Sequence, residues 1–216
     1  NKELLYLPNG IPFKVKNYER PSDEQSLEKY KKRDLSFLVV GRINKHKGFD
    51  RILEFCEYFD KTENINSFDS VTLNIVGKQT DETTQIFKDL NLQNIKLVFH
   101  GFLSDEDLNP LYIKSHFCLF LSRNEGYGIP LVEAMWFKSI PIISNIPIFD
   151  EIMTNEYPKF DDKTNYTSSI VEFVNKIFDD ITYLKKQKEF IETIVLNEQT
   201  GYEKAAKNLV KFIEKL

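Results

Sequence analysis

Along most of the chain, short apolar runs alternate with stretches whose apolar residues recur every three or four positions. Leu35-Ser36-Phe37-Leu38-Val39-Val40-Gly41 is nearly continuous in hydrophobicity, the pattern of a strand covered on both faces in a parallel sheet. Phe49, Ile52, Leu53, Cys56 and Phe59 then recur at helical spacing and predict a helix beginning near Phe49. The unit repeats. Val71 to Val76 reads as a strand ending at Gly77, and Asp81 to Leu90 as a helix with Ile86 and Leu90 inward. Ile95 to Phe99 is a third strand, and Ser104 opens a third helix striped by Leu108, Leu111 and Tyr112. Phe117 to Leu121 is a fourth strand, Leu131 to Phe137 a helix, Ile140 to Ile143 a fifth strand and Tyr157 to Phe160 a short sixth.

Alternation of this kind predicts an α/β fold: a doubly wound, parallel, Rossmann-like sheet of about six strands with right-handed crossovers. From about Tyr166 the strands stop. Ile170, Phe173, Val174, Ile177 and Phe178 share one helical face, and Ile181 to Leu196 and Gly201 to Leu216 read as two more helices. The expected organisation is a connection and surface segment over residues 1–34, a Rossmann-like core over 35–165, and C-terminal helices packing on it over 166–216. Within the first segment, Leu4 to Pro12 is extended with an Asn9-Gly10 turn, and Asp23 to Lys31 can form a helical turn.

Composition narrows the function. The 216 residues are 41% hydrophobic, enough for a substantial core, and the formal charge of −4 supplies no basic footprint for nucleic acid. No run approaches the roughly 18 apolar residues of a membrane span. Cys56 and Cys118 sit in apolar contexts and read as buried thiols, consistent with a reducing cytoplasm. His46, His100 and His116 are too scattered for a metal triad. Asp105-Glu106-Asp107 has the D-x-D form of a metal-binding motif, but Ser104 before it makes a helix N-cap followed by first-turn acids the favoured reading.

The chemistry gathers in two loops. In a sheet of order 3-2-1-4-5-6, the first and fourth strands are neighbours, and the crevice between their C-terminal ends is the general ligand site. The loop after the first strand carries Gly41, Arg42 and Lys47; the loop after the fourth carries Glu125-Gly126-Tyr127-Gly128-Ile129-Pro130-Leu131, followed by Glu133. Arg42 offers a planar fork for phosphate oxygens, Lys47 a point charge, and the helix starting beside Lys47 free N–H groups. The glycines let main chain approach a bound group closely, and Pro130 suits the first helical position. Carboxylates accept hydrogen bonds from vicinal hydroxyls. A solvated basic loop and a helix-dipole preference for Glu133, about 0.3–1 kcal/mol, are the plain alternatives.

These residues carry a resemblance. Glu125 and Glu133 form an E-x7-E pattern, with Glu125-Gly126-Tyr127-Gly128 at its head, that resembles the donor-sugar signature of family 4 retaining glycosyltransferases of GT-B fold. Gly41-Arg42 with Lys47-Gly48 resembles that family's phosphate-gripping loop, and Phe99-His100-Gly101-Phe102-Leu103 the segment edging the nucleobase. The resemblance covers about residues 35–153. It implies that Glu125 and the glycine turn, with Ile129, Pro130 and Leu131, hold the sugar and that Glu133 binds the ribose. Arg42 and Lys47 then stabilise the departing diphosphate without a metal or other cofactor. Two departures stand out: Gly77-Lys78-Gln79 lacks a second glycine, and Lys138-Ser139 replaces the glycine that usually ends the helix bearing Glu133.

The implied activity is hexosyl transfer from a nucleoside-diphosphate sugar. A missing N-terminal domain is expected to supply the acceptor site and any peripheral membrane contact, so the chain alone would bind donor but transfer little. A non-catalytic sugar-nucleotide module and half of a sugar-nucleotide epimerase share the same fold. A dinucleotide oxidoreductase would need G-x-G-x-x-G in the first loop, and Gly41-Arg42-Ile43-Asn44 lacks it.

Overall fold

A computed structural model describes residues 18–78, 80–161, 165–199, 206–207 and 209–211. The Leu4 to Pro12 segment, Gln79 and most of the last expected helix lie outside these residues. Six strands form one parallel sheet: β1 (Asp34–Val40), β2 (Ser70–Val76), β3 (Ile95–Gly101), β4 (Phe117–Phe120), β5 (Ile140–Ser144) and β6 (Lys159–Phe160). Their order is β3-β2-β1-β4-β5-β6, so β1 and β4 are neighbours, in register through Phe37 with Phe117 and Leu38 with Cys118. β4 and β5 are buried at every position, as strands between two helical layers must be.

The helices are α1 (Asp23–Glu28), α2 (Phe49–Asp60), α3 (Asp81–Asp89), α4 (Asp105–Lys114), α5 (Ile129–Trp136), α6 (Pro147–Met153), α7 (Tyr166–Asp179) and α8 (Ile181–Gln199). α2 buries Phe49, Ile52, Leu53, Cys56 and Phe59 as the spacing requires, and Phe55 as well. Phe37 of β1 stacks on Phe117 at 5.7 Å and meets Phe55 edge-on at 5.5 Å, which locks α2 over the β1–β4 seam. Each such ring stabilises the fold by about 1.5–3 kcal/mol when fully buried. α7 packs against α2 and β6, and α8 against α7, α5 and β5.

Three expectations need correction. Ile86 faces outward at 39% exposure, while Thr83 and Phe87 point in. The Thr80–Thr83 capping box sets the phase of α3, and Phe87 fills an aromatic slot 4.8 Å from Phe49 and 4.1 Å from Phe99. Residues 18–34 are more than a surface connection. Ser26 and Tyr30 are buried, and the Tyr30 hydroxyl donates to the carbonyl of His116 at 2.8 Å, tying α1 and the following 3-10 turn (Lys29–Lys31) under the sheet. Finally, α6 was not expected, although Phe149, Ile152 and Met153 recur at helical spacing behind Pro147.

Candidate donor-binding site

The site is built at the C-terminal ends of β1 and β4. After β1, Asn44 accepts a hydrogen bond from the Lys47 N–H through its side chain at 3.0 Å, winding Lys45–Lys47 into a 3-10 turn that Gly48 ends at φ +67°. A Cβ at Gly48 would lie 1.7 Å from the carbonyl oxygen of Leu121, so only glycine lets this turn lie against the end of β4. Arg51, in the first turn of α2, donates to the same Leu121 carbonyl at 3.2 Å. Across the crevice, Gly128 at φ +92° opens α5, with Pro130 within its first two positions and Glu133 just past its first turn. A Cβ on Gly128 would press on the Phe149 ring at 3.1 Å.

Lys47 and Glu125 meet directly, Nζ to Oε2 at 2.5 Å, although 78 positions separate them. The other carboxylate oxygen of Glu125 accepts from Ser122 Oγ at 2.8 Å. The Ser122 carbonyl is in turn fixed by the Ser144 hydroxyl at 2.5 Å, so β5 supports the loop from behind. The Glu125 side chain is 10% exposed and that of Lys47 30%. Arg42 is exposed, and its guanidinium has no hydrogen-bond or ion-pair partner among the described residues. Gly41, Arg42, Lys47, Glu125, Gly128 and Pro130 line one cleft of about 50 Å³.

The remaining expected residues sit differently. Ile129 is 44% exposed beside the cleft, whereas the Leu131 side chain is fully buried and its N–H donates to the Gly128 carbonyl at 2.9 Å. Gly126 and Tyr127 belong to the turn between Glu125 and Gly128 but do not line the cleft. Phe102 is 91% exposed on the loop after β3. Two strand spacings put that loop about 10 Å from β1 along the same sheet edge. Glu133 is buried and does not line the cleft; its Oε2 accepts from the Tyr112 hydroxyl of α4 at 3.0 Å. Burial, followed by the Glu133 charge, raises the Tyr112 hydroxyl pKa well above its ordinary value. Ser122 escaped the sequence reading; its signal was a hydroxyl two positions past a fully buried strand.

Ser104 caps α4, its Oγ accepting from the Asp107 N–H at 3.3 Å and donating to Asp107 Oδ2 at 2.8 Å. That is the helix-cap reading of Asp105-Glu106-Asp107. Among the described residues, no group of three or more His, Cys, Asp or Glu could hold a metal ion, and no helix is long and apolar enough to cross a membrane. Larger hollows, about 760 Å³ between α2 and α3 and about 560 Å³ between α1 and α8, lie outside the β1–β4 crevice.

Comparison with known proteins agrees with the fold. Residues 19–194 match the family model for glycosyl transferases group 1. The chain is 35% identical over 152 residues to the serotype-specific mannosyltransferase WbdA of Escherichia coli, covering 68% of this chain and 18% of that protein. It is 34% identical over 145 residues to the O-antigen chain mannosyltransferase RfbU of Salmonella typhimurium, covering 65% and 38%. The chain therefore spans well under half the length of these relatives. In fold it is similar to WaaG, a glycosyltransferase involved in lipopolysaccharide biosynthesis, with a TM-score of 0.65 over 93% of this chain and 54% of that one at 18% identity. With its six-stranded parallel sheet and its match over residues 19–194, the chain belongs to the group 1 glycosyltransferases.

Proposed function

We propose that this chain is the donor-binding part of a retaining glycosyltransferase whose donor is a nucleoside-diphosphate mannose. The mannosyl assignment comes from the names of WbdA and RfbU. The observation that carries the donor site is the meeting of Lys47 and Glu125 in the β1–β4 crevice, a cation for the diphosphate and a carboxylate for sugar hydroxyls side by side.

In this reading the diphosphate lies over the cleft mouth, held by the Arg42 fork, by Lys47 and by the N-terminus of α2. The nucleoside runs along the strand ends toward Phe102, and Glu133 is released from Tyr112 to meet the ribose. The sugar sits on the Gly126–Gly128 turn and the first residues of α5, Ile129, Pro130 and Leu131, with Glu125 accepting from its hydroxyls. When the anomeric C–O bond breaks, its electron pair passes to the diphosphate oxygen, an acceptor hydroxyl oxygen forms the new bond to the anomeric carbon and gives its proton to the released diphosphate, and Arg42 and Lys47 stabilise the charge that develops on that diphosphate. That neutralisation needs no divalent metal or other cofactor. An acceptor-binding domain beyond this chain completes the enzyme, and any contact with a membrane comes from that domain. Buried, unpaired Cys56 and Cys118 suit a cytoplasmic protein.

Calorimetric titration of the chain with GDP, UDP, their mannose conjugates and NAD tests the reading. Binding of a nucleoside diphosphate with no binding of NAD is expected, unchanged by EDTA. Preference for NAD, or binding that EDTA abolishes, overturns it.

A further inference from the structure

The two loops of the proposed site are joined by a residue that does not line it. Arg123 lies two positions before Glu125 and, rather than lining the cleft, reaches Asp50 at the start of α2. Its Nη1 donates to the Lys45 carbonyl at 2.7 Å and to Asp50 Oδ1 at 2.6 Å, and Nη2 to Asp50 Oδ2 at 2.8 Å. Its main-chain N–H donates to the His46 carbonyl at 2.9 Å. One residue of the β4 loop thus grips two residues of the β1 loop, Lys45 and His46, and Asp50 at the start of α2, on either side of Lys47.

We propose that Arg123 is a positioning residue: through Asp50 and the Lys45 carbonyl it fixes the Lys47 loop against the Glu125 loop at the spacing a nucleoside diphosphate needs. The proposal rests on the donor-site reading above. Bidentate pairing of a guanidinium with a carboxylate is directional as well as attractive. The pair is partly open to solvent, with side chains 33% and 45% exposed. An ion pair so placed contributes little to global stability, so its consequence falls on geometry. Burial opposes ionisation of Asp50, but the Arg123 hydrogen bond and charge outweigh it and hold the carboxyl below its ordinary pKa, so the clasp stays charged at neutral pH. Arg51 also ties α2 to the β4 end through the Leu121 carbonyl, and the Arg123–Asp50 fork adds a directional tie between the start of α2 and the loop that carries Glu125.

The test uses the full chain with Arg123→Gln, Arg123→Lys and Asp50→Asn, read by amide hydrogen exchange without ligand, by thermal midpoint, and by titration with GDP and UDP. In Arg123→Gln, exchange over residues 42–48 and 122–128 is expected to rise while the rest of the sheet is unchanged. Affinity for whichever nucleotide the wild type binds should fall about tenfold, as misplacement on the scale of 1 Å can cause, with the midpoint within about 4 °C of wild type. Arg123→Lys should fall between, because an ammonium keeps the charge and loses the fork, and Asp50→Asn should resemble Arg123→Gln. Unchanged local exchange and affinity in Arg123→Gln overturns the proposal, as does a loss of affinity that only tracks a large fall in midpoint. If the wild type binds neither nucleotide while the local exchange effect appears, the donor-site reading fails and takes the role of Arg123 with it. If the wild type binds and Arg123→Gln binds equally well, only the role of Arg123 fails.

Discussion

At the scale of single residues, the site turns on a charge already spoken for. Lys47 is held by Glu125 at 2.5 Å, whereas the Arg42 guanidinium has no partner among the described residues, so the two cations should respond differently to mutation. Arg42→Ala is expected to weaken nucleoside-diphosphate binding about 10- to 150-fold, the loss of a charge-assisted contact of roughly 1.5–3 kcal/mol. Its thermal midpoint should stay at the wild-type value, and calorimetry beside a melting curve checks both. Glu125→Gln has two opposed effects: it frees Lys47 for the diphosphate and removes the acceptor for sugar hydroxyls. GDP or UDP should then bind more tightly, by about 3- to 10-fold for a gain near 1 kcal/mol, while the nucleotide sugar binds more weakly than to wild type. Equal shifts for both ligands would deny Glu125 a contact with the sugar. Glu133 was legible as an acid near a helix start, but its burial was not. α5 buries Leu131, Val132, Ala134, Met135 and Trp136 on all sides, so no apolar stripe marks which way Glu133 points.

At the scale of elements, the close approach of α2 to β4 depends on Gly48. Gly48→Ala sets a methyl group 1.7 Å from the Leu121 carbonyl at a φ that disfavours any side chain. A loss of about 2–4 kcal/mol is expected, visible as a fall of roughly 5–15 °C in thermal midpoint. Sequence showed a turn at this place; contact between that turn and a strand 70 residues later is a tertiary fact. At the opposite end of the sheet, His116 joins three elements. Its main-chain N–H donates to the Ser36 carbonyl, its Nδ1 accepts from the Ser36 N–H at 3.1 Å, and its Nε2 bonds the Lys29 carbonyl at 2.9 Å. Burial lowers its pKa from 6.5 to about 4, with the nearby Lys29 and Lys188 charges acting in the same direction against the Lys29 carbonyl bond. Between those values the unfolded chain takes up a proton that the folded chain refuses. This contribution is therefore full above pH 6.5 and is lost as pH falls toward 4, by up to about 3 kcal/mol. Urea titrations at steps between pH 7 and pH 4 should show that decline, and His116→Gln should flatten it.

At the scale of the whole molecule, the sheet order was readable because continuous apolar runs admit little besides buried parallel strands, and a topology rule then made neighbours of β1 and β4. That argument brought Arg42, Lys47 and Glu125 to one crevice from residues far apart in the chain. What escaped it depended on phase and packing: Phe87 displaced Ile86 from the core through its aromatic contacts, and α6 hid its helical spacing in a short segment. The anchoring of α1 through Tyr30 was equally hidden, since one aromatic in a charged stretch gives no period to read. The central claim is that the β1 and β4 loops close on one diphosphate, and a crystal structure of the chain with bound GDP or UDP tests it most directly. The account predicts β-phosphate oxygens about 3 Å from the Lys47 ammonium and the Arg42 guanidinium, with the Lys47–Glu125 pair parted. A nucleotide seated between α1 and α8, or between α2 and α3, with that pair intact would contradict it.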